Sequence, residues 1–121
     1  MTDRLRDLEY TLLLALLRLG GEAYGVPIRD EIAARTGRGV SLGALYTTLE
    51  RLEGKGFVAS RMGAPTAVRG GRRTKLCRLT AAGKGALSRT WDFQRRMTEG
   101  LEPRLEEMHR SASLATGGND D

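Results

Sequence analysis

The side chains best placed to do chemistry lie along residues 39–56, GVSLGALYTTLERLEGKG. At about 100° per residue, one narrow sector of a helix over this stretch holds an apolar stripe made of Leu42, Leu45, Leu49 and Leu52. This spacing predicts a helix that docks the stripe on a core. The opposite face carries small and hydroxyl side chains instead of the Glu, Lys and Gln usual on solvated helices. The candidate contact residues are Ser41, Gly43, Tyr46, Thr47 and Arg51.

This face suits close approach to another surface. Ser41 is a good N-cap, and the amides of a helix N-terminus give positive potential beside it. A helix that enters the DNA major groove typically has free backbone amides at its N-terminus, followed by small and hydroxyl side chains and then a basic residue such as Arg51. A helix packed on both sides by protein is the alternative. Tyr46 is interpreted as a packing residue with its hydroxyl at the rim or as a base reader, and Arg51 as a guanine or a phosphate contact.

A second candidate group is basic. Residues 61–78 contain six Lys or Arg residues and no acidic one, which accounts for the net charge of +5 of the whole chain. Such a cluster, on a segment with many Gly and Pro residues, predicts phosphate contacts or entry into a minor groove. A solvated basic loop is the alternative. The residues chosen for DNA contact are Arg69, Arg72, Arg73 and Lys75.

Other chemistry has little support in the 121 residues. One Cys and one His exclude an intramolecular disulfide and argue against a Cys/His metal site. The sequence has no phosphate-binding glycine loop, nucleophile motif or plausible carboxylate pair, so we expect no enzyme activity and no cofactor. Cys77 is interpreted as a half-buried strand residue, with a redox sensor as the alternative. Without a long apolar run or a signal-peptide pattern, we expect a cytoplasmic protein that does not enter a membrane.

Breakers and caps divide the chain into elements. Helices are predicted over residues 8–19 and from residue 25 to 37, followed by a short Gly-bearing turn and the helix after Ser41, which is a helix-turn-helix pattern. Strands FVASRM and TKLCRL flank residues 63–73 and predict a β-hairpin wing. Thr80 caps the last helix. The expected fold is mainly α with a small β-hairpin, a winged helix-turn-helix plus a C-terminal dimerisation helix.

The domain boundaries follow from these elements. Residues 1–80 are predicted as the DNA-binding domain, with residues 1–7 as a loose arm or helix lead-in. Residues 81–110 are predicted as a C-terminal dimerisation helix, kinked near 100–103 because Gly100 and Pro103 interrupt a helix. Residues 111–121 are predicted as a disordered tail. The first and last helices carry more apolar residues than so small a fold can cover, which predicts a homodimer whose contact residues are Leu12, Leu16, Leu87, Trp91, Met97 and Leu101.

Two blocks in this order, LGALYTTLERLEGKGFV and GGRRTKLCRLTAAGKGAL, resemble the PadR family of bacterial transcriptional regulators. The resemblance covers residues 8–87 and implies a winged helix-turn-helix protein that dimerises through a C-terminal helix packed with the N-terminal helix. It also implies operator-dependent repression that a small molecule or another signal relieves. On the family pattern, Tyr46 and Thr47 lie in the recognition helix and residues 70–73 at the wing.

The resemblance leaves some points open. The family commonly has paired aromatic residues where this chain has Leu76 and Cys77. Some relatives bind flat aromatic compounds between two subunits, so Trp91 and Phe93 are interpreted either as dimer-core residues or as contacts for a small aromatic effector. A two-fold protein is expected to read double-stranded DNA with a near-palindromic operator. The alternative function is a protein-interaction module, for which an acidic or hydrophobic patch would replace the basic wing.

Overall fold

The computed structural model describes residues 5–63 and 75–117, with side chains described as far as residue 115. The chain divides into two compact units, Met1–Thr90 and Trp91–Asp121. Its elements, in order, are α1 (Asp7–Arg18), β1 (Glu22–Tyr24), α2 (Gly25–Thr36), α3 (Leu42–Gly54), β2 (Val58–Met62), β3 (Lys75–Leu79), α4 (Ala81–Thr98) and α5 (Glu102–Gly117). Among the described residues, no helix is long and apolar enough to cross a membrane.

Helices α2 and α3 form the predicted helix-turn-helix. Helix α2 ends at Thr36, and Gly37 follows it with a φ of 74°, in the left-handed region that glycine adopts without strain. Residues 38–41 then lead into α3, where the Ser41 hydroxyl accepts a hydrogen bond from the Ala44 amide at 3.1 Å. Helix α1 packs against α2 and α3. The three predicted helices are therefore present, with bounds within a few residues of those expected.

The sheet has three antiparallel strands in the order β1-β3-β2, one more strand than the predicted hairpin. Strand β3 is central, pairing Cys77 with Ala23 of β1 and with Ser60 of β2. Strand β1 is only three residues long, so its sequence has no alternation to detect. It exists because the backbone after α1 meets a strand more than fifty residues later in the chain.

The core of the first unit corrects part of the predicted dimer surface. Leu12 and Leu16 of α1 are 0% exposed and Leu87 of α4 is 6% exposed, all three in the hydrophobic core of the chain itself. Side chains this buried offer no surface to a partner. Leu14 and Leu17 are the leucines of α1 that are exposed.

In the first unit, one further expectation is corrected and one open alternative is decided. The stripe of α3 was expected to include Leu42, but this residue is exposed, and Thr48 is buried beside Leu45, Leu49 and Leu52. Thr48 tolerates burial because its hydroxyl donates to the Ala44 carbonyl at 2.8 Å. Of the two expectations for residues 1–7, a loose arm or a helix lead-in, the described residues 5–7 agree with the lead-in: α1 begins at Asp7, Leu5 is buried and its amide donates to the Thr90 hydroxyl at 3.2 Å.

The junction between β2 and α4 is closely packed. The Thr80 hydroxyl donates to the Gly56 carbonyl at 2.7 Å and accepts from the Gly83 amide at 3.0 Å, so Thr80 caps α4 as predicted. A Cβ atom on Gly83 would overlap the Phe57 carbonyl oxygen and lie 2.8 Å from Leu79 Cδ1. Only glycine fits where α4 crosses this backbone.

In the second unit the helix is interrupted near the predicted kink. Helix α4 ends at Thr98, Gly100 has a φ of 84°, and α5 begins at Glu102. Pro103 lies in the first turn of α5, where its missing amide costs little, so it starts a helix and does not end one. Helix α5 continues to Gly117, which corrects the prediction of a disordered tail for residues 111–117. Residues 118–121 lie outside the described part.

Candidate nucleic-acid interface

The exposed side of α3 is made of the small and polar residues expected from the sequence. Gly43, Thr47 and Arg51 are all exposed, and a Cβ on Gly43 would meet nothing within 4 Å. The Ser41 cap occupies the Ala44 amide and leaves the other amides of the first turn without an intrahelical partner. This end and this face can therefore approach another molecule closely and offer it donors.

Tyr46 has a packing role. It is 38% exposed, and a Cβ on Gly25 would lie 2.7 Å from its hydroxyl oxygen and 2.9 Å from its ring. The ring thus covers the first residue of α2 and fixes α3 against that helix. The rest of the side chain stays partly exposed, so Tyr46 borders the candidate interface.

A groove of 190 Å³ runs between α3 and β3. The ring of Tyr46 lines it, together with two carboxylates, Glu50 and Glu53, and the ammonium group of Lys75. Lys75 Nζ lies 3.7 Å from a carboxylate oxygen of Glu53. The sequence prediction named Lys75 and did not anticipate these acidic neighbours, because they come from a different element.

The cations on the wing strands form only loose ion pairs. Arg61 lies 3.8 Å from Glu22 and its side chain is 68% exposed, and Lys75 is 48% exposed. Such exposed pairs contribute about 0–1 kcal/mol and exchange readily for other anions. Arg78 is exposed on β3. The candidate DNA contacts Arg69, Arg72 and Arg73, with the whole predicted loop from residue 64 onward, lie outside the described residues.

A half-buried ion pair links the end of α3 to α1, and the sequence did not predict it. Glu9 of α1 is 1% exposed and lies 2.9 Å from Lys55 Nζ, just after α3, while its other oxygen accepts from the Arg6 amide at 2.9 Å. Burial opposes ionisation of Glu9, but the Arg6 amide and the Lys55 ammonium outweigh it and lower its pKa. A single acid inside the apolar helix LEYTLLLALL was the available signal that a cation must lie nearby.

Cys77 is more deeply placed than predicted. It is 2% exposed at the centre of the sheet. Burial, followed by the negative charge of Glu53, raises the pKa of its thiol. A thiol that resists ionisation is a poor redox sensor, so the structure favours the role of a packed strand residue.

The second unit exposes large apolar side chains. Of the predicted dimer contacts, Trp91, Met97 and Leu101 are 55%, 63% and 39% exposed, and the candidate effector contact Phe93 is 44% exposed. The guanidinium of Arg95 lies 5.2 Å from the centre of the Trp91 ring, a cation–π distance. Apolar groups this exposed on one short segment are typical of a surface that meets another molecule.

The described residues hold no cluster of three or more His, Cys, Asp or Glu side chains that could hold a metal ion.

A helix-turn-helix followed by a strand pair, with a small, hydroxyl-bearing helix face outward, defines a winged-helix protein. A sequence model of the PadR-like family of transcriptional regulators matches residues 13–89, and the chain belongs to that family. It is a DNA-binding transcriptional regulator by family.

Solved structures agree with this assignment. A PadR family regulator from Eggerthella lenta is 25% identical with a TM-score of 0.62, and the match covers 78% of this chain and 80% of that one. Bacillus subtilis PadR in complex with operator DNA is 26% identical with a TM-score of 0.59, covering 69% of this chain and 45% of that one. A winged-helix DNA-binding protein from STIV is 21% identical with a TM-score of 0.62 over 78% and 95% of the two chains, which shows the shared fold. No match was found among curated proteins.

Proposed function

We propose that this regulator is a homodimeric repressor that binds a near-palindromic operator in double-stranded DNA. The observation that carries the proposal is the outer face of α3, where Gly43, Thr47 and Arg51 stand exposed behind an N-terminus capped by Ser41. A helix face without bulky charged side chains can enter a major groove about 12 Å wide. In this proposal the protein acts in the cytoplasm, and it acts by binding DNA without catalysing a reaction.

The contacts divide into two chemical classes. Thr47 and Arg51, with Ser41 and the rim of Tyr46, are assigned to base edges or phosphates of the major groove. Lys75 and the sequence-predicted Arg69, Arg72 and Arg73 are assigned to phosphates or the adjacent minor groove, where they add affinity with little sequence information. Each phosphate contact steepens the fall of log affinity with log salt by about 0.9.

Dimerisation and relief by a signal are assigned to the second unit. The exposed Trp91, Met97 and Leu101 support the homodimer, since large apolar groups rarely stay in water. Trp91 and Phe93 are assigned to a small aromatic effector, with another kind of signal as the alternative. Trp91 fluorescence reports on this role, which loses its support if the emission stays unchanged with planar compounds that do alter operator binding.

The DNA-binding proposal is tested by titrating the full chain on the DNA upstream of its own gene and on a scrambled duplex, at low and high salt. Arg51→Ala is expected to weaken binding, and Arg18→Ala, an exposed arginine on α1, is the control with the same loss of charge. An Arg72→Ala/Arg73→Ala variant is expected to flatten the salt dependence. Equal, weak binding of all variants to both duplexes would contradict the proposal.

The dimer is tested by measuring the molar mass of a Trp91→Glu/Met97→Glu variant in solution. The expected result is a folded monomer with weak operator binding, because charges at these exposed positions oppose burial. Met62→Glu, at an exposed apolar residue of β2, is the control and is expected to stay dimeric. A Trp91/Met97 variant that keeps the mass of a dimer would remove these residues from the interface.

A further inference from the structure

Glu53 connects the last turn of α3 to both strands of the wing. Its carboxylate accepts a hydrogen bond from the Ser60 hydroxyl of β2 at 2.8 Å. Its other oxygen lies 3.7 Å from Lys75 Nζ at the start of β3. One side chain of the candidate recognition helix therefore touches both strands of the wing, β2 at its middle and β3 at the end that adjoins residues 63–74.

The carboxylate stands where a negative charge is costly for DNA binding. If α3 enters the major groove and the wing meets the neighbouring minor groove, the phosphate backbone between them passes over the groove that Glu53 lines. One unit charge at about 7 Å from a phosphate in water weakens binding about threefold. An acidic residue at this position therefore needs a contribution to binding that offsets the repulsion.

We propose that Glu53 is a positioning residue for operator recognition: it fixes the strands of the wing on α3, so that both meet one duplex in register. The inference rests on the proposed function. The hydrogen bond from Ser60 carries this positioning to β2, and β2 passes it to β3 through the antiparallel pairing of the two strands, while the exposed pair with Lys75 adds little. Specific binding needs the helix and the wing to contact DNA at once, whereas non-specific binding needs only positive charge.

This role predicts opposite effects on two duplexes. In Glu53→Ala, affinity for a mixed-sequence duplex should rise about threefold because a repulsive charge is gone. Affinity for the tightest duplex that the wild type selects from a random library should fall about fivefold, which is the scale of one ordinary hydrogen bond lost at an exposed site. Binding of the full chain to both is measured by fluorescence anisotropy at one salt concentration.

Two variants separate positioning from charge. Glu50→Ala removes the same charge from the same helix and the same groove, and its carboxylate makes no hydrogen bond or ion pair in the part of the chain that the structure describes. It should tighten binding to both duplexes alike. In Glu53→Gln, the amide oxygen can still accept from Ser60, so this variant should recover most of the preference for the selected duplex.

Each outcome decides the inference. A fall in the preference for the selected duplex in Glu53→Ala alone, with the melting temperature close to that of the wild type, supports positioning. The role is overturned if Glu53→Ala tightens binding to both duplexes as Glu50→Ala does. It is also overturned if Glu53→Ala and Glu53→Gln both lose folded protein and that loss accounts for the weaker binding. If the wild type binds neither duplex, the proposed function fails as well, and the two failures are thereby distinguished.

Discussion

Replacing Gly83 by alanine should destabilise the fold, although the same change stabilises most helices. Alanine in a helix interior is favoured over glycine by about 1 kcal/mol. At Gly83 the added methyl would overlap the Phe57 carbonyl oxygen and lie 3.1 Å from the carbonyl carbon, both of them backbone atoms. Backbone cannot move aside as the end of a side chain can, so α4 must shift from β2.

The magnitude follows from the two opposing effects. Overpacking of a close contact costs up to about 3 kcal/mol, and the helix preference returns about 1, which leaves a net loss of roughly 2 kcal/mol. For a small domain this lowers the melting temperature by roughly 10 °C. Thermal unfolding followed by circular dichroism measures it. The shift of α4 should also strain the Thr80 cap, whose hydroxyl accepts from the Gly83 amide.

Gly85→Ala is the matched control in the same helix. A Cβ there would meet only Arg89 Nη1, at 3.2 Å, and the end of an arginine side chain can move. This variant should therefore gain up to about 1 kcal/mol. If both variants change the melting temperature in the same direction, the close contact at Phe57 does not determine the packing of α4.

Three further predictions concern α3 and its supports. Gly43→Ala should raise the melting temperature, because the site is open, yet weaken operator binding by adding a methyl to the outer face; unchanged binding would place Gly43 outside the interface. Because the pKa of Glu9 is lowered, its contribution to stability is present above the ordinary pKa of a glutamate and is lost as the pH falls through its lowered pKa. The difference in melting temperature between wild type and Glu9→Gln should shrink over that acid range, and a constant difference would argue against the Lys55 pair. The Cys77 thiol should react with a disulfide reagent far more slowly in the native protein than in denaturant; rapid native reaction would contradict its burial.

The helices were predictable because each has its own local signals. The apolar residues of α1, the Pro27 start and Gly37 end of α2, and the Ser41 cap of α3 act within one or two turns of the chain. The predicted bounds therefore lie close to those observed. The exposed face of α3 was predictable for the same reason, since helical spacing alone separates its two sides.

Features that depend on distant parts of the chain were not predictable in this way. Strand β1 forms because it pairs with β3, and its three residues are too few to show the alternating pattern of a strand. The apolar residues of α1 predict a dimer contact that includes Leu12 and Leu16, but α2, α3 and the sheet bury these two residues within the chain itself. Helix α5 extends past the predicted end because neither Ser nor Ala stops a helix and the first glycine there is Gly117.

Some residues of the two blocks that resemble the family hold the fold together, while others in the same blocks are assigned to DNA. In the two quoted blocks, Gly56, Thr80 and Gly83 meet at one junction, where the Thr80 hydroxyl bridges the Gly56 carbonyl and the Gly83 amide. Lys55, beside them, neutralises the buried Glu9 and so ties the end of α3 to α1. These contacts fix where α3 stands in the frame, and none of them uses its outer face.

Apart from Tyr46, which packs on Gly25, the frame and the outer face use separate side chains, so most of each can change independently of the other. A substitution at Thr47 or Arg51 leaves every contact of the junction in place, since both side chains point away from the core. A substitution at Gly83 or Glu9 alters the frame without touching a residue assigned to bases. The frame residues of the two blocks therefore explain how this chain holds α3 with its outer face exposed, and the proposed function assigns the choice of operator to exposed side chains of that face such as Thr47 and Arg51.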